Sequence, residues 1–336
     1  MNAILAFESS CDDTGVAIVD TDYNILANVV STQLDHSLFG GVLPELASRL
    51  HLKNIVYLTE AAFKQSKLSP AEISAVAVSI NPGLIGSLIV GLSFAKSLAW
   101  SWEKPLITVN HMLAHIFANF LEHKSIQPPL LALVVSGGHT ELVYFSTLTD
   151  FEIVGKTLDD AAGETFDKTA KLLDLGYPGG PIIDSLARKG NPEFFHFPRA
   201  LNRKNNFNFS YSGLKTAVLE YLSRHKPEYI EEHKADLAAS IQQAIIDPLI
   251  NKTLTWARQN KIKTILLAGG VAANSALRTQ LSEKASKLNI QVFYPSVSLC
   301  MDNAAMVGAA AVPKFLHQQF SSLDVNAFST KGTRNL

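Results

Sequence analysis

Cysteine is almost absent from this chain, which has 336 residues but only two cysteines, Cys11 and Cys300. Two cysteines cannot build a disulfide framework, and such sparing use is typical of a reducing compartment. The first residues, MNAILAFESSCDD, also lack the basic stretch and the cleavage site of a secretion signal. We therefore expect a β-strand at the N-terminus and a cytoplasmic protein.

Long hydrophobic runs are few. The longest, LIGSLIVGLSFAKSLAWSW at positions 84–102, is interrupted by Gly86, Gly91 and Lys96. A membrane-spanning helix needs about 20 consecutive, mainly apolar residues. The run therefore predicts a helix buried between a sheet and its neighbours, not a membrane span.

Positive charge is not in excess, since 29 lysines and arginines stand against 30 aspartates and glutamates, giving a formal net charge of -1. Proteins that bind nucleic acid over a broad face are usually basic, because phosphate neutralisation dominates that binding. Any RNA contact must therefore be local or shared with a partner. The chain has no low-complexity tract, and it is longer than one domain of about 100–200 residues, so we expect two closely packed lobes.

One order of predicted elements occurs twice along the chain. The first copy has three strands, AILAFESS, VAIVD and ILANVVS, then a helix at 44–66, the strand AVAVSI, the helix at 84–102 and the strand PLITVNH. The second copy has the strands LLALVVSGG, TELVYFS and FEIVGKTL, the helix ETFDKTAKLLDLG, a long helix at 234–260, the strand TILLAGG, a helix, the strand VFYP and a closing helix. This duplication predicts two α/β lobes around a central cleft, with ligands at the strand ends.

Three turns have the composition of phosphate-binding or nucleotide-binding loops. The Ser9–Gly15 turn contains small residues and Asp12, and the Ser136–Thr140 turn contains two adjacent glycines. The third, LAGGVAANSALR, follows a strand and offers Asn274 or Ser275 as a helix cap. Each is also an ordinary turn when taken alone. Together they resemble the actin, Hsp70 and sugar-kinase superfamily, which implies duplicated ribonuclease-H-like lobes flanking a nucleotide cleft.

A histidine pair in VNHMLAH suggests a metal site. His111 and His115 are four residues apart, so on a helix they share one face and both can ligate a single ion. Two surface histidines explain the spacing equally well until a third ligand is found. Asp302, at the start of the last helix and expected across the cleft, is the best candidate, with Cys300 and Asp12 as weaker alternatives.

The same pair raises the alternative of a metallopeptidase. The zincin pattern HExxH places a glutamate beside the first histidine as the general base. Here the residues between the histidines are Met112, Leu113 and Ala114, so no carboxylate in that turn can activate a water. The pattern therefore argues against a peptidase.

A series of motifs, in order, resembles one family, the bacterial tRNA N6-adenosine threonylcarbamoyltransferases, formerly classed as glycoprotein endopeptidases. The motifs are ESSCDDTGVAIVD, GGVLPELASRLH, NPGLIGSLIVG, VNHMLAH, LVVSGGHTELV, DDAAGETFDKTAKLLDLGYPGGP, FSYSGLKT, LAGGVAANSALR and CMDNAAM. The likeness runs nearly end to end and leaves the Thr330–Leu336 tail uninformative. One departure is mild: ESSCDDT stands where the family more often has ETSCDET, and the chemistry of these side chains is kept.

The resemblance implies a metal site and a substrate site. The metal ligands would be His111, His115 and Asp302, holding one divalent ion per subunit, which is iron in the family although zinc also fits. The residues implied to bind threonylcarbamoyl-adenylate are Val134, Val135, Ser136, Gly137, Gly138, Asp167, Gly180, Asp184 and Asn274.

Two of these residues also have simpler interpretations. Asp167 is one helical turn from Lys171, so it can be a solvated carboxylate in a surface ion pair. Asp184 can be an early-turn carboxylate favoured by the positive end of its helix. If they bind substrate, they would accept hydrogen bonds from ribose hydroxyls.

The activity implied is acyl transfer from threonylcarbamoyl-adenylate to N6 of the adenosine next to the anticodon, in tRNAs that read codons beginning with adenine, with release of AMP. The metal would polarise an oxygen of the intermediate, and Asp12 would orient the reacting groups. An ATP-dependent kinase or chaperone of the same fold is the main alternative, and a non-catalytic scaffold is another. Both would leave the histidine pair unexplained.

The resemblance also implies partners and a division of the chain. The partners are tRNA, a shorter paralogous protein (TsaB-like) docked on the apolar helices at 44–66 and 84–102, a small ATPase (TsaE-like), and an enzyme that makes the adenylate. Residues 1–110 with 305–336 would form the partner-binding N-terminal lobe, and 111–304 the C-terminal lobe with the metal and nucleotide contacts. The basic, aromatic stretch 199–211 suits contact with unpaired bases, or is a mobile loop.

Overall fold

The computed structural model describes residues 2–33, 42–201 and 205–329. Contacts divide the chain into two units, Met1–Ile126 with Pro295–Leu336, and Gln127–Tyr294. These limits differ from the boundaries predicted after residues 110 and 304, because the helix that carries both histidines packs against the last helix within the first unit. Gly40 and Gly41 of one motif, positions 202–204 of the basic, aromatic stretch and the 330–336 tail lie outside the described residues.

The predicted helices and strands occur in the predicted order, with further helices at 212–223, 227–232 and 297–300 that the sequence did not predict. The first stretch contains β1 (Ala3–Glu8), β2 (Asp13–Asp20), β3 (Ile25–Thr32), α1 (Pro44–Ser66), β4 (Ile73–Asn81), α2 (Ile85–Ser101), β5 (Leu106–Asn110) and α3 (His111–Phe117). The second unit contains β6 (Leu130–Val135), β7 (Thr140–Phe145), β8 (Phe151–Lys156), α4 (Ala162–Leu172), α5 (Gly179–Ala187), α6 (Ser212–Ser223), α7 (Pro227–Glu232), α8 (Lys234–Gln259), β9 (Thr264–Ala268), α9 (Ser275–Ser286) and β10 (Gln291–Phe293). The chain then returns to the first unit with α10 (Val297–Cys300) and α11 (Ala304–Leu316).

The two sheets have one topology. In the first unit the strand order is β3-β2-β1-β4-β5, and in the second it is β8-β7-β6-β9-β10. In each sheet the first three strands form an antiparallel meander, and the last two run parallel to the first strand. The duplication predicted from the sequence is therefore confirmed, and so is the α/β fold class.

Burial explains why the central strands read as continuous apolar runs. Every residue of β1, β5 and β6 is buried, because helices cover these strands and leave no face for polar residues. The α2 helix is 17 residues long and packs against β4. None of the helices that the structure describes has both the length and the apolar content needed to cross a membrane.

Asparagine caps fix the two segments that carry the histidines and Asp302. The Oδ1 atom of Asn110 accepts hydrogen bonds from the backbone N–H groups of Met112 at 2.9 Å and Leu113 at 3.1 Å. In the same way, Oδ1 of Asn303 accepts from Met306 N–H at 3.1 Å. Such caps satisfy the free N–H groups of a first helical turn and define where the helix begins. His111 is therefore the first residue of α3, and Asp302 directly precedes the cap of α11.

Gly15 of β2 allows the start of α11 to approach the sheet. A Cβ atom at this position would lie 2.8 Å from the backbone nitrogen of Ala304, which is closer than side chains tolerate. The absence of a side chain at Gly15 therefore sets how near the segment that begins with Asp302 lies to β2.

We expect Gly15→Ala to lower the free energy of unfolding by about 1–3 kcal/mol, because the added methyl group must displace β2 or the start of α11. Urea unfolding followed by circular dichroism measures this change. Gly213→Ala is the matched control: a Cβ there meets nothing within 4 Å, and alanine favours the helix, so stability should stay or rise by about 0.4–1 kcal/mol. Equal stability of Gly15→Ala and the native protein would contradict the tight approach.

Candidate functional site

Two histidines and one aspartate meet at one point of the first unit. Nε2 of His115 lies 3.1 Å from Oδ1 of Asp302, and Nε2 of His111 lies 3.5 Å from the same oxygen. One ligand atom from each of the three residues lies within 4.8 Å of the other two. The structure thus brings the three predicted ligands together inside a single unit, whereas the sequence interpretation had placed Asp302 across a cleft.

Glu8 and Ser10 hold the ring of His111 from behind. Nδ1 of His111 lies 3.0 Å from Oε2 of Glu8 and 3.1 Å from Oγ of Ser10. The other carboxylate oxygen of Glu8 accepts a hydrogen bond from Ser10 N–H at 2.6 Å. When Nδ1–H donates to a carboxylate, Nε2 carries the free lone pair, which is how histidine ligands of metals are commonly oriented. Nε2 of His111 is the nitrogen that faces Asp302.

The charges around His111 favour a cation at this point. Burial by itself lowers the pKa of His111, but the carboxylates of Glu8 and Asp302 outweigh burial and raise that pKa to about 9. Burial likewise opposes ionisation of Glu8 and Asp302, yet the charge of His111 and hydrogen bonds from the imidazoles lower the pKa of both carboxyl groups. A divalent ion would supply the positive charge that these two carboxylates favour.

The donor set fits a divalent transition metal. Two imidazole nitrogens and one carboxylate oxygen, with coordination positions left over, suit zinc in catalytic sites and iron in the facial arrangement of two histidines and a carboxylate. Nε2 of His115 is the nitrogen that contacts Asp302, and its buried Nδ1 has no hydrogen-bond partner among the described residues.

The weaker ligand candidates, Asp12 and Cys300, do not belong to this group. The buried thiol of Cys300 donates to the carbonyl of Pro295 at 3.6 Å, in the loop before α10. Asp12 lies in the turn between β1 and β2, where its carbonyl accepts from Gln33 N–H at 3.2 Å. Its predicted role in orienting the reacting groups remains a prediction.

In the second unit, a glycine turn follows the buried strand β6, which ends with Val134 and Val135. Ser136 N–H donates to the carbonyl of His139 at 2.8 Å, and His139 N–H donates to Oγ of Ser136 at 3.2 Å, which closes the turn. At Gly137 and Gly138, a Cβ atom would meet nothing within 4 Å. Packing within the protein therefore does not require glycine at these exposed positions, which leaves room for a ligand to approach the backbone.

The turn at Gly269–Asn274 lies against the end of the same strand. Gly269 has a φ of +86°, and a Cβ there would lie 2.5 Å from the carbonyl oxygen of Val135, so both backbone conformation and space require glycine. Oδ1 of Asn274 accepts from Leu277 N–H at 2.9 Å, which caps α9, and its Nδ2 donates to Gln242 at 2.7 Å. Asn274 is the cap, which the sequence had left open between this residue and Ser275.

Asp167 and Asp184 both bind helix N-termini. Oδ1 of Asp167 accepts from Gly179 N–H at 2.8 Å, at the start of α5, rather than pairing with Lys171 on its own helix. Oδ1 of Asp184, which is buried, accepts from the N–H of Ser275 at 3.2 Å and from its hydroxyl at 2.8 Å. The two carboxylates therefore connect α4 to α5 and α5 to α9.

Gly180 stands next to the first of these contacts. A Cβ at Gly180 would meet one atom only at the limit of ordinary contact, Cβ of Phe166 at 3.9 Å. Like the two glycines after β6, Gly180 is not required by packing. The predicted adenylate residues thus lie at the end of β6, within α4 and α5, and at the start of α9, all in one unit. Their contact with substrate remains a prediction.

Sequence reasoning missed Glu8 and Ser10. Their signal was a charged residue at the end of an otherwise apolar strand, followed directly by the ESSCDD turn. A fully buried glutamate needs a partner of opposite charge, so its position predicts a cationic neighbour without naming it. His111 was identified independently, but the pairing became visible only in the folded sheet.

Comparisons with known proteins find relatives along nearly the whole chain. The family model described as TsaD, tRNA N6-adenosine threonylcarbamoyltransferase, matches residues 24–309. The protein of that name from Clostridium beijerinckii is 48% identical over 325 residues, covering 96% of each chain. The one from Moorella thermoacetica is 49% identical over 325 residues, covering 96% of this chain and 95% of that one.

Solved structures agree in fold. HypF of T.kodakarensis superimposes with a TM-score of 0.64 at 16% identity, covering 95% of this chain and 48% of that chain. ROK hexokinase from Thermus thermophilus gives a TM-score of 0.51 at 11% identity, covering 94% of this chain and 99% of that chain. At such low identity the likeness shows the fold alone, which is that of the actin, Hsp70 and sugar-kinase ATPases.

We expect His111→Ala and Asp302→Ala to lose bound metal, because two remaining protein ligands are too few for a site that needs about three. The protein is loaded anaerobically with Fe²⁺ or separately with Zn²⁺, dialysed, and analysed for elements. The native chain should retain about one ion and each variant less than about a tenth of that. His317→Ala, at the exposed end of α11, is the control and should retain the native amount. Full metal content in His111→Ala would mean that the ligand assignment is wrong.

Proposed function

Since the chain belongs to the tRNA N6-adenosine threonylcarbamoyltransferase family, we propose that it uses threonylcarbamoyl-adenylate as the donor and a metal ion held by His111, His115 and Asp302. Threonylcarbamoyl transfer to adenosine N6 in tRNA is the family's activity and that of this enzyme. The acceptor is the adenosine next to the anticodon in tRNAs that read codons beginning with adenine. The observation that carries the proposal is the group of two imidazoles and a carboxylate, with Glu8 oriented behind it.

The reaction is an acyl transfer. The N6 amine of adenosine attacks the carbamoyl carbon, the bond from that carbon to the phosphate oxygen breaks, and AMP leaves while N6 loses a proton. The bound metal, which we propose to be Fe²⁺ with Zn²⁺ as the alternative, supplies a Lewis acid. Glu8 and Ser10 hold His111 in place, and Asp12 in the next turn orients the reacting groups.

The second unit binds the adenylate. Backbone N–H groups at the Ser136–Gly138 turn approach the phosphate, and Val134 and Val135 support that turn from the buried strand β6. Asp167, Gly180, Asp184 and Asn274 contact the adenosine. A carboxylate has about four acceptor positions. Asp167 accepts from Gly179, and Asp184 accepts two hydrogen bonds from Ser275 and one from Arg188, so both keep capacity for a ribose hydroxyl.

Exposed apolar side chains on α1 and α2 support docking of a paralogous, TsaB-like protein. The exposed fraction is 68% for Leu52 and for Tyr57 on α1, and 50% for Ile89 and 74% for Trp100 on α2. Large apolar side chains that are exposed together are typical of protein–protein interfaces, where a partner shields them from water. A TsaE-like ATPase and the enzyme that makes the adenylate complete the proposed system.

The peptidase alternative has no support from the geometry of α3. The residues between the two histidines are apolar and buried, and Glu8 contacts Nδ1 of His111 on the side away from Asp302. A general base for metal-bound water would have to lie on the open side of the group. A kinase or chaperone of the same fold would leave the three ligands without a purpose.

We expect Gly138→Val to weaken binding of ATP or the adenylate by at least about tenfold while the protein stays folded. A branched side chain would occupy the space through which a phosphate reaches the backbone, and its Cβ would meet no atom within 4 Å in the part of the chain that the structure describes. Calorimetric titration measures the affinity. Gly213→Val, at a second open glycine position, is the control and should bind like the native chain. Unchanged affinity in Gly138→Val would leave the turn with a structural role only.

We expect the purified, metal-loaded chain to modify tRNA over many turnovers only when the paralogous protein, the ATPase and the adenylate-forming enzyme are added. Incorporation of labelled threonine into unmodified tRNA measures the reaction. Leu52→Asp should abolish the stimulation by charging the apolar face, whereas Lys53→Asp at the neighbouring exposed position should reduce it by no more than about threefold. Robust turnover by the chain alone would contradict the partner requirement. Metal-dependent cleavage of proteins would restore the peptidase alternative.

A further inference from the structure

Buried His51 of α1 forms hydrogen bonds with the segment directly after Ser10, and Ser10 in turn contacts His111 of the metal-binding group. His51 is fully buried, although the next residue of α1, Leu52, is exposed. Its Nε2 lies 2.9 Å from the carbonyl oxygen of Cys11, and its Nδ1 lies 2.7 Å from Oγ1 of Thr14. One ring therefore ties α1 to the turn after β1, through Cys11, and to the start of β2, through Thr14.

The partners of His51 determine its tautomer. A carbonyl oxygen only accepts hydrogen bonds, so the contact with Cys11 requires a proton on Nε2. In the neutral ring Nδ1 is then an acceptor, and the hydroxyl of Thr14 donates to it. Both ring nitrogens and the buried hydroxyl are satisfied by this arrangement. It needs no change of protonation to work.

This turn leads directly to His111. Ser10 precedes Cys11 in the chain, its hydroxyl contacts Nδ1 of His111 at 3.1 Å, and its N–H binds Glu8. The α2 side also grips the turn, since the carbonyl of Ser10 accepts from Leu84 N–H at 2.7 Å and Oγ of Ser9 donates to the carbonyl of Ser87 at 2.9 Å. On the α1 side, the two hydrogen bonds of His51 hold Cys11 and Thr14, which follow Ser10 in the chain.

We propose that His51 is a positioning residue for threonylcarbamoyl transfer, which fixes the Cys11 carbonyl so that Ser10 and Glu8 keep His111 oriented as a metal ligand. The inference rests on the proposed metal centre. The hydrogen bond from Nε2–H of His51 to the Cys11 carbonyl contributes most to metal affinity, and the hydrogen bond with Thr14 contributes less. Residues outside the ligand set commonly change metal affinity by about 10–100-fold when they orient a ligand.

Two amide substitutions separate the two hydrogen bonds. The amide nitrogen of glutamine reaches the position of the histidine Nε2, so His51→Gln can keep the bond to Cys11. The shorter asparagine reaches only the position of Nδ1, so His51→Asn keeps a contact with Thr14 and loses Cys11. Thr59→Val is the control, since Thr59 lies on the same helix, is buried, and bonds only to its own helix at Ile55.

The test is Co²⁺ binding to the full-length, metal-free chain, with affinity from chelator competition and ligand geometry from the visible absorption of the bound ion. His51→Asn should bind Co²⁺ roughly tenfold more weakly with an altered spectrum, and His51→Gln should stay within about twofold of the native chain with its spectrum kept. Thr59→Val should match the native affinity whatever its effect on urea unfolding. Transfer to tRNA in the reconstituted reaction should follow the same order.

The role of His51 is refuted if His51→Asn matches the native affinity and spectrum, or if His51→Gln loses as much as His51→Asn. If both variants fail to fold, Thr14→Val and Thr14→Ser decide: only the valine variant should lower Co²⁺ affinity, by roughly threefold, and equal affinities refute the proposal. The proposed metal site fails separately, and His51 with it, if the native chain and His111→Ala bind Co²⁺ equally.

Discussion

The buried charge at the end of β1 is the constraint on which the first unit depends. Glu8 closes a strand whose residues are all buried, and a carboxylate there is tolerated only with a charged, hydrogen-bonded partner. His111 is that partner. It can reach Glu8 because β1, β4 and β5 are neighbouring strands that all run in the same direction. The parallel strands end at the same edge of the sheet, so the first residue after β5 lies near the last residue of β1. Asp302 then balances the other side of the ring.

Duplication explains why the two units share a framework and differ in chemistry. The same strand order brings the end of the first strand beside the ends of the parallel strands in both sheets. In the first unit that edge carries Glu8 and the histidines, whereas in the second it carries the glycines after β6 and β9. Apolar strands and the helices packed on them set the framework. Residues at the strand ends contribute less to that framework, so they can differ between the two units without changing the fold. One topology thus presents candidate metal ligands at the strand ends of the first sheet and glycine-rich backbone at the strand ends of the second.

Much of this could be predicted because the signals are local. The bounds of α1 match the predicted helix at 44–66, and the meanders follow from short apolar runs separated by turns. The limits of the units could not be predicted, because they depend on α3 packing against α11, a contact between distant segments. The partners of Asp167 and Asp184 were missed for the same reason: each carboxylate accepts from the start of another helix, and the sequence does not show which helix begins beside it. Spacing identified His111 and His115, while only the fold showed what stands behind them.

The glycines of the chain differ in whether packing within the protein explains the missing side chain. At Gly15, Gly163 and Gly269, an added Cβ would lie 2.5–2.8 Å from backbone atoms of a neighbouring segment, so the protein itself explains the missing side chain. At Gly137 and Gly138 no atom of the described residues lies within 4 Å of the added Cβ, and no positive φ demands glycine there. Two adjacent glycines cost conformational entropy on folding, so a turn that keeps them without a packing reason gains nothing in stability. What they provide is access to backbone N–H groups beside Ser136, and this access supports the proposal that the turn binds the phosphate of the adenylate.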